Sequence, residues 1–126
     1  MDRSIEVLVL DDEPIVCERL KDYLERKGIS VEVFTESLKA LERLKEKTFD
    51  VIITDVKMQA PTGIDVLTIV KKESYKTEVI VITGYSSLET LRQAEFIGAF
   101  KFIAKPFQMS DIYQLVRKAA KKARNR

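Results

Sequence analysis

The chain has 126 residues, with 22 basic and 20 acidic side chains, one cysteine and no histidine. That length suits one domain burying about two-thirds of its unfolded surface, and the near-balance of charge gives no general attraction to nucleic acid or anionic membranes. The lone Cys17 excludes an internal disulfide and thiolate zinc clusters, and the missing histidine excludes Ser-His-Asp hydrolysis, histidine metal sites and a phosphohistidine on this chain.

Strand and helix patterns alternate from end to end. Ile5 to Leu10 is apolar except for Glu6 and reads as a first strand. Pro14 suits the first turn of a helix carrying Ile15, Val16, Leu20, Tyr23 and Leu24 on one side, which Gly28 ends. Ile29 to Phe34 alternates apolar with polar, as a half-exposed strand near a sheet edge does. Ser37 is placed to cap a second helix with Leu38, Leu41 and Leu44 on one face. Val51-Ile52-Ile53-Thr54-Asp55 reads as a central strand buried on both faces and ending in a carboxylate. A loop with Pro61 and Gly63 leads to a third helix marked by Ile64, Leu67 and Val70. Glu78 to Thr83 is the fourth strand; Ser86 or Ser87 opens a fourth helix through Leu88, Leu91, Ala94 and Ile97, and Gly98 stops it. Phe100 to Ile103 is a short fifth strand, and Ile112, Leu115, Val116 and Ala119 give the last helix its core stripe.

Five strands alternating with five helices through short connections imply right-handed crossovers and an α/β, doubly wound, five-stranded parallel sheet of the flavodoxin-like kind, strand order 2-1-3-4-5. The expected organisation is one domain over 1–126, with a core at 5–120 and a basic tail at 121–126. The basic end from Lys118 to Arg126 is either a helix terminus favoured by the dipole or the start of a linker. No apolar run approaches membrane-spanning length, and the chain is expected in the cytosol.

All parallel strands finish on one edge, so Asp11-Asp12, Asp55, Thr83 and Lys105-Pro106 are expected to converge there. Carboxylates about 4 Å apart repel by about 4 kcal/mol per pair at an effective dielectric of about 20, and they require a cation. Oxygen ligands without nitrogen or sulfur favour Mg²⁺. Three carboxylates balance one divalent ion plus the Lys105 ammonium. A carboxylate beside such an ion, with the Thr83 hydroxyl and Lys105 at hand, suits phosphoryl transfer onto the carboxylate to give an aspartyl phosphate. Singly, these residues have simpler readings. Asp11-Asp12 can cap the first helix, Asp55 can be a solvated loop carboxylate, and Lys105 a solvated lysine before proline. Phe102 and Cys17 suit packing roles.

Taken together, Val7-Leu8-Val9-Leu10-Asp11-Asp12-Glu13-Pro14, Asp55 with Met58, Thr83-Gly84 and Lys105-Pro106-Phe107 resemble the receiver domain of two-component response regulators, from Ile5 to about Ala120. The resemblance implies that Asp55 is the phosphoacceptor, that Asp12 binds Mg²⁺ directly and Asp11 through a water, and that the Lys57 backbone carbonyl is a further ligand. It implies that the Thr83 hydroxyl follows the phosphoryl group, that Lys105 pairs with it, and that Phe102 is the aromatic switch residue. It also implies a phosphohistidine donor on a sensor histidine kinase or histidine phosphotransfer protein, and an output partner or domain. The chain would catalyse only its own phosphorylation and dephosphorylation. The surface of helix four, strand five and helix five, including Arg92, Glu95, Lys101, Asp111 and Arg117, is the expected output or homodimer face.

The chain departs from the family pattern at Gln59, where proline is common, with a proline displaced to Pro61, and at Thr62. Phe102 lacks a switch hydroxyl, while Lys57 and Tyr85 occupy positions that tune dephosphorylation in the family. Three alternatives stand beside the receiver. An aspartyl-intermediate phosphatase would need a second Asp two residues after its nucleophile, but Glu13 and Lys57 stand there. Flavin binding would need a phosphate-cradling glycine loop, and the 4 glycines are unclustered. A degenerate receiver would act as a constitutive interaction module.

Overall fold

The computed structural model describes residues 3–73, 76–84 and 88–125. Its elements run β1 Glu6–Leu10, α1 Pro14–Arg26, β2 Ser30–Phe34, α2 Ser37–Glu46, β3 Val51–Asp55, α3 Gly63–Glu73, β4 Glu78–Thr83, α4 Leu88–Ile97, β5 Lys101–Ala104 and α5 Met109–Arg124. The sheet is parallel, in the order β2-β1-β3-β4-β5. Flanking helices thus cover a sheet whose middle strand is β3, and all five of its residues are buried.

Alternation along the strands divides the core. Val7, Val9, Val51, Ile53, Ile80 and Ile82 pack with Leu20 and Leu24 of α1 and Ile112 and Val116 of α5. Leu8, Leu10, Ile52, Val79 and Val81 face the opposite way, toward Ala40 of α2, Val66 and Leu67 of α3 and Ala94 of α4. A period of two in the strands against apolar stripes in the helices produces these layers. The glycines that end α1 and α4 take positive φ, 84° at Gly28 and 119° at Gly98, a conformation that side-chain-bearing residues rarely adopt.

Several local expectations are corrected. Ser37 is the first residue of α2 rather than its cap; Glu36 is the N-cap, without a side-chain cap bond, and Ser37 Oγ lies 4.0 Å from Met58 Sδ. Leu88 is 62% exposed, and only Ala94 of the expected α4 stripe is fully buried. Of the two readings of the basic end, the described residues carry the helix terminus: α5 runs to Arg124, with Ala123 buried and the Arg124 guanidinium bonded to Asp50. Ser86, Ser87, Tyr85 and Arg126 lie outside the described residues.

Candidate phosphoacceptor site

Each site residue is held by the end of a strand or the first turn after it. Asp55 closes β3, paired in register with Ile82, so Thr83 lies one step further along the neighbouring strand. The loop after Asp55 turns back at once: Lys57 N–H donates to Asp55 Oδ1 at 3.0 Å, and Gly63 N–H donates to the Val56 carbonyl at 3.1 Å. On β1, Asp11 N–H donates to the Phe34 carbonyl at 3.1 Å, while Asp11 Oδ1 accepts from Glu13 N–H at 2.8 Å. Asp11 is therefore committed locally and wholly buried, whereas Asp12 is exposed. The helix cap itself is Glu13, which makes no side-chain cap bond.

Lys105 follows β5, where its N–H donates to the Thr83 carbonyl at 2.7 Å, and its bond to Pro106 is cis. Its Nζ stands 3.1 Å from Asp55 Oδ2, 3.0 Å from Asp11 Oδ2 and 2.8 Å from Glu13 Oε1. Burial alone would lower its pKa, but the contacts with Glu13, Asp11 and Asp55 outweigh that and raise it, so the ammonium is fixed in its charged form. Burial pushes the Asp11 carboxyl up, against the lowering effects of Glu13 N–H and Lys105. Beneath the site, Cys17 is buried and its Sγ–H donates to the Asp11 carbonyl at 3.3 Å; burial raises this thiol to about 11. It is a packing residue and a poor nucleophile at neutral pH.

Asp11, Asp12, Glu13 and Asp55 each offer a carboxylate oxygen, all within 4.8 Å of one another. Asp11 Oδ2 is buried, and among the described residues the Lys105 ammonium, 3.0 Å away, is the partner it faces. A buried carboxylate oxygen beside three more carboxylates is a donor set fitted to a hard divalent cation. The residues thus fit Mg²⁺. Glu13 is the member that strand-end reasoning missed, although it directly follows Asp11-Asp12; with it, four carboxylates face one ammonium, so a divalent ion leaves one negative charge in excess. Asp12 also borders two open clefts of about 360 and 710 Å³, flanked by the loop residues Met58 and Gln59.

The other expected residues lie on β4, α4, β5 and α5. Thr83 is buried at the end of β4. Phe102 pairs in register with Val81 and is 37% exposed, its side chain on the α4 side of the sheet edge. Arg92, Glu95, Lys101, Asp111 and Arg117 are all exposed on α4, β5 and α5.

Residues 7–117 match the sequence model of the response regulator receiver domain. The chain belongs to that family. This receiver is 32% identical to the transcriptional regulatory protein ZraR of Escherichia coli O157:H7 over 92% of its own length and 26% of the relative's. It is likewise 32% identical to the response regulator protein PilR of Pseudomonas aeruginosa, over 88% and 25% of the two chains. It therefore spans about a quarter of the length of those relatives. Among solved structures it is similar to a response regulator receiver domain protein from Clostridium thermocellum, with a TM-score of 0.90 at 31% identity over 96% of this chain and 98% of that one. The beryllofluoride-activated NtrC4 receiver domain dimer gives a TM-score of 0.88 at 32% identity over 94% and 98%. Strand order and family agree with the doubly wound receiver fold expected from the sequence.

Proposed function

We propose that this receiver is a phosphorylation-activated switch in which Asp55 takes a phosphoryl group from a phosphohistidine on a sensor histidine kinase or phosphotransfer protein. The observation that carries the reading is the convergence of Lys105 on Asp55 and Asp11 at the carboxyl edge of the sheet. In the transfer, a carboxylate oxygen of Asp55 forms the new O–P bond while the N–P bond of the donor breaks, its electron pair returning to the imidazole. Asp12, Asp55 and the Lys57 carbonyl would hold Mg²⁺, and Asp11, buried and already bonded to Glu13 N–H, would support it through a water. When bound, the ion supplies positive charge to the phosphoryl oxygens. Lys105 pairs with one of those oxygens and the Thr83 hydroxyl with another.

Phosphorylation adds charge and strong acceptor oxygens at Asp55, and the β4 and β5 ends answer because Thr83 and Lys105 sit there. Phe102, half out of the sheet edge, turns inward as Thr83 moves. The face of α4, β5 and α5 carries the change to an output partner or domain, or to a second copy of the chain. The dimeric NtrC4 receiver supports a phosphorylation-dependent homodimer. Residues 1–126 act as one unit, in the cytoplasm, catalysing only their own phosphorylation and dephosphorylation. Among the described residues no helix is long and apolar enough to cross a membrane. The constitutive-module alternative has no feature of the site in its favour.

Incubation with acetyl phosphate and Mg²⁺, followed by intact-mass measurement, tests the reading. One phosphoryl adduct is expected, absent without Mg²⁺ and absent in Asp55→Asn. Steady turnover of phosphate esters without an adduct would favour a phosphatase instead.

A further inference from the structure

Three carboxylates surround the Lys105 ammonium, and the phosphoryl-transfer reading employs only two of them. The third, Glu13, makes the shortest contact, 2.8 Å, across 92 residues of sequence. Its side chain is 57% exposed, against 0% for Asp11 and 7% for Asp55. Its own N–H bond to Asp11 Oδ1 holds its backbone at the N-cap of α1, and the side chain reaches Lys105 from there.

Resting on the assignment of Asp55 as phosphoacceptor, we propose that Glu13 is a positioning residue that competes with the incoming phosphoryl group for the Lys105 ammonium. An ammonium has three N–H donors. With three carboxylates around it, a phosphoryl oxygen gains Lys105 only as one of them gives way. The carboxylate cheapest to release is the one water can take over, and that is Glu13. The four acids set against a divalent ion and Lys105 also leave the cluster one negative charge in excess. Glu13 therefore sets how tightly the phosphorylated form is held, without touching the phosphorus itself.

Beryllofluoride with Mg²⁺ is the probe, titrated into ¹⁵N-labelled full chain and followed by amide NMR in wild type, Glu13→Gln and Glu13→Asp. The aspartate keeps the charge but is one methylene short of Lys105. Binding about three- to fivefold tighter in both variants is expected, the scale of a solvent-exposed ion pair. Unchanged or weaker binding in Glu13→Gln would overturn the proposal. So would tightening in Glu13→Gln with wild-type behaviour in Glu13→Asp, which would mean that charge at the site mouth acts and reach to Lys105 does not. Failure of the wild type to bind beryllofluoride at all would overturn the phosphoacceptor reading, and this inference with it.

Discussion

Gly63 opens α3 directly against the backbone carbonyl oxygen of Asp55. A Cβ built there would strike that oxygen and lie 2.7 Å from the Cα of Val56 and 2.8 Å from the carbonyl carbon of Asp55. All three atoms are backbone, so none can swing aside. Gly63→Ala is expected to push the loop off the end of β3, costing about 1–3 kcal/mol of stability and lowering the yield of Asp55 adduct with acetyl phosphate. Urea unfolding and intact-mass measurement on the same sample check the two effects. A variant as stable as wild type would show that the loop has slack.

Lys105 is the resident cation of the acidic cluster, and removing it leaves Asp11 and Asp55 buried without their countercharge. Lys105→Ala should bind Mg²⁺ more tightly than wild type, because the ion no longer meets a competing ammonium. The thermal midpoint should then rise more steeply with Mg²⁺ in the variant, a change read by scanning calorimetry. Amide shifts on α4 and β5 after beryllofluoride addition should be lost or much reduced. Equal Mg²⁺ responses in the two proteins would contradict the cluster electrostatics.

Much of this was legible from strand endings. A carboxylate after β1, another ending β3, a threonine ending β4 and a lysine after β5 need only a parallel sheet to meet, and alternation of elements supplied that sheet. What could not be read were contacts set by side-chain reach between distant segments. Glu13 stood in the sequence only as the residue after Asp11-Asp12, because nothing local marks Lys105 as its partner. Arg124 looked like part of a solvated basic run, yet it closes on Asp50. Leu88 kept helical spacing with Ala94 but stands exposed, since spacing alone cannot tell an inward stripe from one at the margin of a helix lying near the sheet edge.

The Arg124–Asp50 pair ties the last turn of α5 to the start of β3. Arg124 Nε and Nη2 donate to Asp50 Oδ1 and Oδ2 at 3.2 and 3.0 Å, and Nη2 also donates to the Ser4 carbonyl at 2.8 Å. Asp50, 7% exposed, accepts Glu6 N–H at 2.9 Å as well. Arg124→Ala should destabilise the domain by about 1–3 kcal/mol by leaving a nearly buried carboxylate short of donors. Amide exchange at 119–125 should quicken. Stability within a few tenths of wild type would show the pair to be ornamental.

Acid stability should depend on Glu32. The hydrogen bond from Arg43, set against burial and reinforced by Lys47, holds its carboxyl down at about 2, from an ordinary value of 4.5. A carboxyl depressed in the folded state binds its proton more readily when unfolded. Its contribution is therefore complete above about pH 4.5 and is lost as pH falls toward 2. Glu32→Gln should be less stable than wild type at pH 7, with the difference closing below pH 4.5 and gone near pH 2. Urea midpoints across that range read it directly. A difference that persists at the acid end would point to packing and not to the ion pair.

Trapping the acceptor tests the central assignment most directly. After phosphorylation with acetyl phosphate and Mg²⁺, borohydride reduction converts an aspartyl phosphate to homoserine, and peptide mass spectrometry locates it. The predicted result is homoserine at position 55 alone, in the peptide that spans β3. Reduction at Asp11 or Asp12, or no reduced aspartate despite an intact adduct, would contradict it.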